Sequence, residues 1–386
     1  MVSFFFSLAA ILDNDMEKLK FLLDIYEHWT AQALDAEDEV SGFYSFPIDD
    51  FKAAIEGGHV ELLGEIIRRT GAGLPLESMV KNTGVELQVK PRWYQGLTVY
   101  GKKRKDWAEA GRPGISRSGG TQTSPLLIAA FAGQIETVEW FLRDTPQRHY
   151  LAFANSKGAR DEARLKHLAQ APGGFEGAIS KWLSDQSELV LHAAIYALPS
   201  KRATELVAYL VRSQPALLHV RAANGVTPLL LAYRLGRLDA ARILIEAGAD
   251  QRTKDHGRNN LLHAALSFTP KAKQLRPMLD LLDRDALVPM LKERNMLEER
   301  GQTPLQYICS IVSSSGDAVK DVIRIIKTII DISPQDARQA FRMLSGTGDT
   351  PLHILLLKGA DPAIIRAVVD FDPSLLCIEN ADPASR

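Results

Sequence analysis

The sequence predicts an all-α fold that is built from repeated pairs of helices. A helix-start motif recurs along the chain, apolar residues at helical spacing follow each copy, and glycines stand where the helices should end. The motif is complete in residues 346–353 (GTGDTPLH), recurs in residues 225–229 (GVTPL) and 301–305 (GQTPL), and is looser in residues 123–126 (TSPL). Internal repetition determines the architecture of the whole chain, because each copy is one structural unit.

The clearest copy covers residues 225–250. Thr227 is placed to cap the first helix with its hydroxyl group, and Pro228 takes the first helical position, where a missing N–H costs nothing. Gly236 is placed to end that helix in the left-handed conformation. A second helix follows, with apolar residues three or four positions apart (Leu238, Ala241, Leu244 and Ile245). Neither helix can bury its apolar side alone, so neighbouring copies must stack.

The intervals between equivalent positions vary along the chain. Leu230 and His263 are 33 residues apart, whereas the next two intervals, 263 to 306 and 306 to 353, are 43 and 47 residues. The longer intervals predict extended second helices or insertions, such as residues 317–345. Residues 165–183 match the template only as a degenerate copy. Because His167 and His192 are just 25 residues apart, either this connection is shortened or one of the two assignments is wrong.

These motifs, together with the 33-residue interval, resemble ankyrin repeats. The resemblance is strong over residues 123–142 and 189–386, moderate over 1–84, and absent over 85–122. It implies an ankyrin-repeat solenoid of about eight or nine units, some degenerate, in which antiparallel helix pairs stack and short hairpin fingers project to one side.

The same comparison divides the chain into three parts. Residues 1–84 hold degenerate N-terminal units, residues 85–122 form a basic aromatic insertion, and residues 123–386 form the main array. Residues 378–383 read as the approach to a further repeat. Either the last helices are unusually exposed or the main array is truncated at its C-terminal end, and we favour truncation.

Composition indicates a soluble folded protein. The chain has 386 residues, of which 46% are hydrophobic and 24% charged, and a formal net charge of −1, which argues against polyanion binding by the whole chain. Its apolar start, residues 1–12, lacks a basic region before it and a small-residue cleavage site after it, so we read it as a first helix. Only two cysteines occur, which indicates a reducing compartment. We predict a cytoplasmic protein without membrane insertion, with the nucleus as the alternative location.

The sequence offers no candidate for catalysis. Motifs for nucleophilic hydrolysis, zinc proteases or phosphate-binding loops are absent. His192, His263 and His353 share one repeat position, which could suggest a metal or acid–base cluster, but equivalent residues lie a whole repeat apart. The family resemblance implies instead that this histidine joins the loops of adjacent units. We expect no cofactor, metal or small-molecule substrate.

The segment 90–117 is unlike the rest of the chain. It has a net charge of +6 and breaks any helical pattern with four glycines. Three hypotheses remain open: a packed insertion with solvated charges, a site for polyanions or acidic peptides, and a nuclear-import-like run. The residues that would contact a polyanion are Arg92, Trp93, Tyr94, Lys102, Lys103, Arg104, Lys105 and Trp107.

The resemblance also implies a recognition surface on the concave side and at the fingers. The finger-tip candidates are Thr123, Val226 and Gln302, and the inner-helix candidates are Glu56, Phe131, Tyr196, Arg234, Ser267, Phe268, Ser310 and Lys358. Aromatic residues and arginine are enriched at interface hot spots. The aromatic candidates could equally fill gaps between irregular repeats, so both interpretations stay open.

Together these features predict a non-catalytic scaffold that binds a protein partner. One alternative is a nuclear or nucleic-acid-binding adaptor that acts through the basic insertion. Another is that the chain is the targeting portion of a larger multidomain protein.

Overall fold

The computed structural model describes residues 3–24, 48–84, 124–156, 159, 163–267, 272–296, 301–311 and 317–380. Throughout these ranges the regular structure is helical, and none of the described residues lies in a strand. This finding confirms the predicted all-α fold. The chain forms two compact units, Met1–Tyr209 and Leu210–Arg386.

The first unit contains pairs of helices and several additional ones. They are α1 (Ser3–Leu12), α2 (described over 16–24), α3 (Ile48–Gly57), α4 (Val60–Thr70), α5 (Leu76–Lys81), α6 (Pro125–Ala132), α7 (Ile135–Phe141), α8 (Thr145–Ala154), α9 (Ala163–Gln170), α10 (Gly174–Ser187), α11 (Val190–Tyr196) and α12 (Lys201–Ser213), which crosses the boundary between the units.

Helices α1, α3, α6 and α11 pack side by side and form the inner row of the first unit. Alanines make this possible, because small side chains let helix axes approach closely. Ala54 of α3 is fully buried, as are the alanine pairs 129–130 of α6 and 193–194 of α11. The inner row therefore passes directly from α6 to α11.

This packing corrects the assignment of residues 165–183 as a repeat. Helices α9 and α10, which cover that segment, pack on each other and on α5 and α8, and they do not separate α6 from α11. We call α5, α8, α9 and α10 the lateral group. Leu168 of α9 and Ile179 of α10 are buried within it. The short interval between His167 and His192 arises because only His192 belongs to an inner helix.

Two aromatic residues of α8 hold the lateral group against the turn that follows α4. The hydroxyl of Tyr150 donates a hydrogen bond to the carbonyl of Ala72 at 3.0 Å. Phe153 lies against Gly71, where a Cβ atom would overlap its ring. Gly71 has a φ of 65°, which favours glycine for conformational reasons as well. Tyr150 also meets Trp182 of α10 edge to face.

The second unit repeats one arrangement four times. Its inner helices are α13 (Pro228–Leu235), α15 (Leu261–Leu266), α18 (Pro304–Ile311) and α21 (Pro351–Leu357). Each is followed by an outer helix: α14 (Leu238–Glu246), α16 (Ala272–Leu279), α19 (Asp317–Ile332) and α22 (Pro362–Phe371). Successive inner helices pack on one another, and so do successive outer helices.

A short third helix explains the long sequence intervals in this unit. Helix α17 (Arg284–Met290) follows α16, and α20 (Pro334–Arg342) follows α19, which is itself 16 residues long. The prediction of extended second helices or insertions is therefore confirmed. Related 3-10 turns occur at Pro215–His219, after α12, and at Pro373–Cys377, after α22.

Hairpin loops precede the inner helices of the second unit, as the resemblance implied. The described residues of these fingers are 220–226, 251–259, 294–296 with 301–302, and 343–350. Each is closed by a backbone hydrogen bond of 2.7–3.1 Å, formed by Ala222 with Val226, Asp255 with Asn259, Asn295 with Gln302, and Ser345 with Asp349.

Neighbouring fingers are also joined to each other. The N–H of His256 donates to the carbonyl of Asn224 at 2.8 Å, and the N–H of Met296 donates to the carbonyl of Gly257 at 2.7 Å. These bonds hold successive fingers against each other. Among the described helices, none is long and apolar enough to cross a membrane.

Candidate protein-interaction surface

The cap residue of each inner helix in the second unit supplies a common reference position. In every case its side-chain oxygen accepts a hydrogen bond from the backbone N–H three residues later, at 3.0–3.3 Å. The cap residues are Thr227, Asn260, Thr303 and Thr350. The predicted capping by Thr227 is thus confirmed, and equivalent side chains can be compared by counting from the cap.

Side chains seven and eight positions after the cap form a partly exposed stripe along the inner row. Position seven holds an exposed or half-buried residue in all four helices, and position eight is exposed in the last two. Tyr307, at position four of α18, is half-buried beside this stripe. We call this surface the inner-helix face and define it by Arg234, Tyr307, Ser310, Ile311, Leu357 and Lys358.

Two aliphatic side chains on the inner-helix face are open to solvent. Ile311 is 43% exposed and Leu357 is 72% exposed. They lie on α18 and α21, which pack against each other. Adjacent exposed apolar residues on a rigid framework are a common feature of protein interaction sites.

The charge on the inner-helix face is of one sign. None of the four inner helices described in the second unit contains Asp or Glu. Arg234 and Lys358 supply positive charge, and neither forms an ion pair within the described residues. The inner-helix face therefore combines exposed apolar side chains with two cations, Arg234 and Lys358, that have no carboxylate partner within the described residues.

The helices that carry Arg234 and Tyr307 pack on opposite sides of α15. Burial raises the pKa of Tyr307, and the positive charge of Arg234 partly opposes this shift. The ring of Tyr307 meets the His263 ring edge to face, with centroids 6.2 Å apart. This contact packs Tyr307 against a buried ring.

The histidine position of the repeat serves the structure of the finger. The Nε2–H of His263 donates to the carbonyl of Gln302 in the next finger at 3.0 Å. Burial lowers the pKa of His263 to about 4, so the ring is neutral at pH 7. In α18, Gln306 takes this position and donates to the carbonyl of Met343 at 2.7 Å. The structural interpretation is confirmed for His263, and within the described residues no cluster of His, Cys, Asp or Glu could hold a metal ion.

Three predicted residues in the first unit lie on successive inner helices. Glu56 near the end of α3 is exposed, and its carboxylate pairs with Lys52 at 3.5 Å. Phe131 of α6 and Tyr196 of α11 are half-buried. Because α6 packs on both α3 and α11, the structure brings these three residues into one row.

Two predicted finger-tip residues are corrected by the structure. Val226 is 4% exposed and Gln302 is 7% exposed. Both lie at finger bases, and the backbone of Gln302 is held by Asn295 and His263. Both side chains are buried, and the Gln302 side-chain oxygen accepts a hydrogen bond from the Ser310 hydroxyl at 3.3 Å, so we leave Val226 and Gln302 out of the proposed surface.

The other predicted residues lie outside the described part of the chain. They are Thr123 and Phe268, together with the residues of the basic segment: Arg92, Trp93, Tyr94, Lys102, Lys103, Arg104, Lys105 and Trp107. Their roles stay predictions.

Sequence reasoning missed Tyr307, Ile311 and Leu357. Counting seven or eight residues from the Thr-Pro pair finds Ile311 and Leu357, because the cap fixes the register of each helix. Tyr307 could not be found in this way. Its equivalents Leu231, Ala264 and Ile354 are all buried.

Stacked antiparallel helix pairs with joined hairpin fingers define a helical repeat protein. The ankyrin-repeat family model matches residues 224–256, which contain α13, α14 and parts of the two flanking fingers. The chain therefore contains an ankyrin repeat at residues 224–256, and the helical fold of the described residues is consistent with an ankyrin-type solenoid. Ankyrin repeats are protein–protein interaction modules and are generally non-catalytic.

Proposed function

We propose that this protein is a non-catalytic scaffold that binds a protein partner on the exposed sides of its inner helices. The observation that carries the proposal is the stripe of partly exposed residues at equivalent positions of successive inner helices. Residues of interior repeats, and not only those of the terminal repeat, are partly exposed at these positions. The stripe is therefore a feature of the repeated unit. Stacked repeats use such extended surfaces for binding.

The residue types on these surfaces support the proposal. Phe131, Tyr196 and Tyr307 offer partly exposed aromatic rings, and Arg234 offers an unpaired guanidinium group within the described residues. Aromatic and arginine side chains dominate binding energy in protein interfaces, because they bury large area and make directional contacts.

Affinity capture from native lysate tests the surface in the second unit. We expect Leu357→Asp to abolish capture of the partner, because a charge replaces an exposed apolar contact. The control is Leu198→Asp, since Leu198 is 79% exposed but lies outside the inner helices. Equal capture by wild type and Leu357→Asp would contradict the proposed surface.

The aromatic residues of the first unit require a separate test. We expect Phe131→Ala and Tyr196→Ala to reduce partner capture while the melting temperature stays unchanged. A lower melting temperature for each variant, with capture retained, would show instead that both rings fill the core. Capture and thermal unfolding measured on the same samples separate these outcomes.

A second candidate function rests on the composition of residues 90–117, which have a net charge of +6 and four interleaved aromatic residues. This segment would bind nucleic acid or another polyanion and make the protein a nuclear adaptor. Binding of duplex DNA should then weaken steeply as salt rises, because cations on the protein release counterions from the phosphates. Replacing residues 102–105 by alanine should remove that binding and leave partner capture by the inner helices intact.

The scaffold proposal also fits a targeting portion of a larger multidomain protein. Sequencing the full open reading frame tests this version directly.

A further inference from the structure

We propose that the inner-helix face of the second unit binds an acidic peptide segment that carries leucine-type apolar side chains. This inference rests on the proposed function and adds the chemical class of the partner. It depends on three features of the face: its charge, its apolar exposure and the spacing between its cations.

The first argument is the missing counter-charge. Elsewhere in the second unit, cations pair with nearby carboxylates, as in the 2.8 Å contacts of Arg276 with Asp280 and of Lys292 with Asp336. Arg234 is half-buried and has no such partner within the described residues. A partly desolvated guanidinium group is stabilised by a carboxylate, which it can hold with two parallel hydrogen bonds. A carboxylate from a ligand would supply that partner.

The second argument is the apolar surface between the cations. Tyr307, Ile311 and Leu357 present their exposed parts between Arg234 on α13 and Lys358 after α21. Ser310 lies among them and is small enough to let a ligand backbone approach. Aliphatic side chains of a ligand would cover Ile311 and Leu357 and bury area that is now in contact with water.

The third argument is distance along the inner row. Three helix-to-helix steps separate α13 from α21, and packed helices lie 8–10 Å apart, so the two cations are roughly 25–30 Å apart. An extended chain covers 3.3–3.6 Å per residue, which corresponds to about eight residues. The ligand should therefore carry acidic residues about eight positions apart, with apolar residues between them.

A polyanion such as duplex DNA suits this face less well. Nucleic acids need cations at phosphate spacing, whereas the inner-helix face separates its two cations by apolar side chains. DNA binding to this face is therefore an outcome that would count against the proposal.

Selection from a random 12-residue phage-displayed peptide library, with the full chain as bait, tests the inference. We expect the selected peptides to be enriched in Asp or Glu and in Leu, Ile or Phe. A labelled selected peptide should bind Arg234→Glu and Lys358→Glu at least tenfold more weakly than wild type. Arg242→Glu is the matched control, because Arg242 is an exposed arginine on the outer helix α14, and it should bind as wild type does.

The outcomes separate this inference from the proposed function. Basic or purely apolar peptides that lose binding in Leu357→Asp would overturn the acidic class and leave the surface in place. Acidic peptides that bind equally well to Leu357→Asp, Arg234→Glu and Lys358→Glu would overturn both. If no peptide were enriched, the acidic-peptide inference and the proposed binding surface would both be contradicted. Equal competition by a duplex DNA 12-mer, lost in Arg234→Glu, would overturn the peptide assignment.

Discussion

At the scale of single residues, histidine and glutamine fulfil the same hydrogen-bonding role at one repeat position. His263 and Gln306 stand at position three after their caps, and each donates to a carbonyl of the following finger. Glutamine has no titratable group, whereas the histidine ring can gain a proton. The two repeats therefore share a hydrogen-bonding role but differ in their response to pH.

That difference leads to a prediction for His263→Gln. Burial lowers the pKa of His263 to about 4 in the folded protein, whereas it is about 6.5 in the unfolded chain. As pH falls from 6.5 to 4, only the unfolded chain takes up the proton, so stability is lost over this window. Between pH 7 and 5 the wild type should lose about 2 kcal/mol through this group, and His263→Gln should not. Urea unfolding at both pH values measures the difference.

Other ionisable groups near His263 do not alter the sign of this effect. Asp255 and Glu293 act to raise its pKa and Lys254 acts to lower it, but burial is the largest influence. The control is His219→Gln, since His219 is exposed. A pH slope that is equal in wild type and His263→Gln would show that the buried ring is not the cause.

At the scale of helices, sequence motifs correctly predicted where α13 begins and ends. Thr227 caps α13, and Gly236 ends it with a φ of 66°, as predicted. These features depend on residues close in sequence, so local chemistry is sufficient to predict them. The burial of Val226 and Gln302 depends on how the repeats pack in three dimensions, and the position of α8 depends on a distant turn. No local pattern contains that information.

The turn after α4 offers a prediction about close packing. Gly71→Ala should cost about 2–5 kcal/mol, because it adds left-handed strain and forces the Phe153 ring out of its packed position. Gly133→Ala is the matched control. Gly133 also ends a helix with a positive φ of 73°, but its added Cβ would meet Ala203 at an ordinary 3.5 Å. Chemical denaturation of both variants should show the larger loss for Gly71→Ala, and equal losses would refute the role of Phe153.

The inner row of the second unit gives a prediction about cavities. Leu229 is 1% exposed on α13, so Leu229→Ala should lower the free energy of unfolding by about 2–5 kcal/mol through lost burial and an unfilled cavity. Leu235→Ala, on the same helix but half-buried, should cost less. Equal effects in equilibrium unfolding would show that the assigned register of α13 is wrong.

At the scale of the whole molecule, the two units differ in how their helices are connected. In both units each inner helix packs on the next inner helix. The first unit adds a lateral group, in which α4 packs on α8 and α5 packs on α9. The sequence supplied the repeat architecture and the inner helices of both units. It did not supply this lateral group, because its contacts join segments far apart in the chain.

The direct contact between α6 and α11 has a consequence for synthesis on the ribosome. The last residue of α6 and the first of α11 are Ala132 and Val190, so translation at 5–20 residues per second delays their meeting by about 3–12 s. During that time the apolar side of α6 that faces α11 stays uncovered in the nascent chain. That interval leaves an apolar helix face accessible to chaperones before the later repeats have emerged.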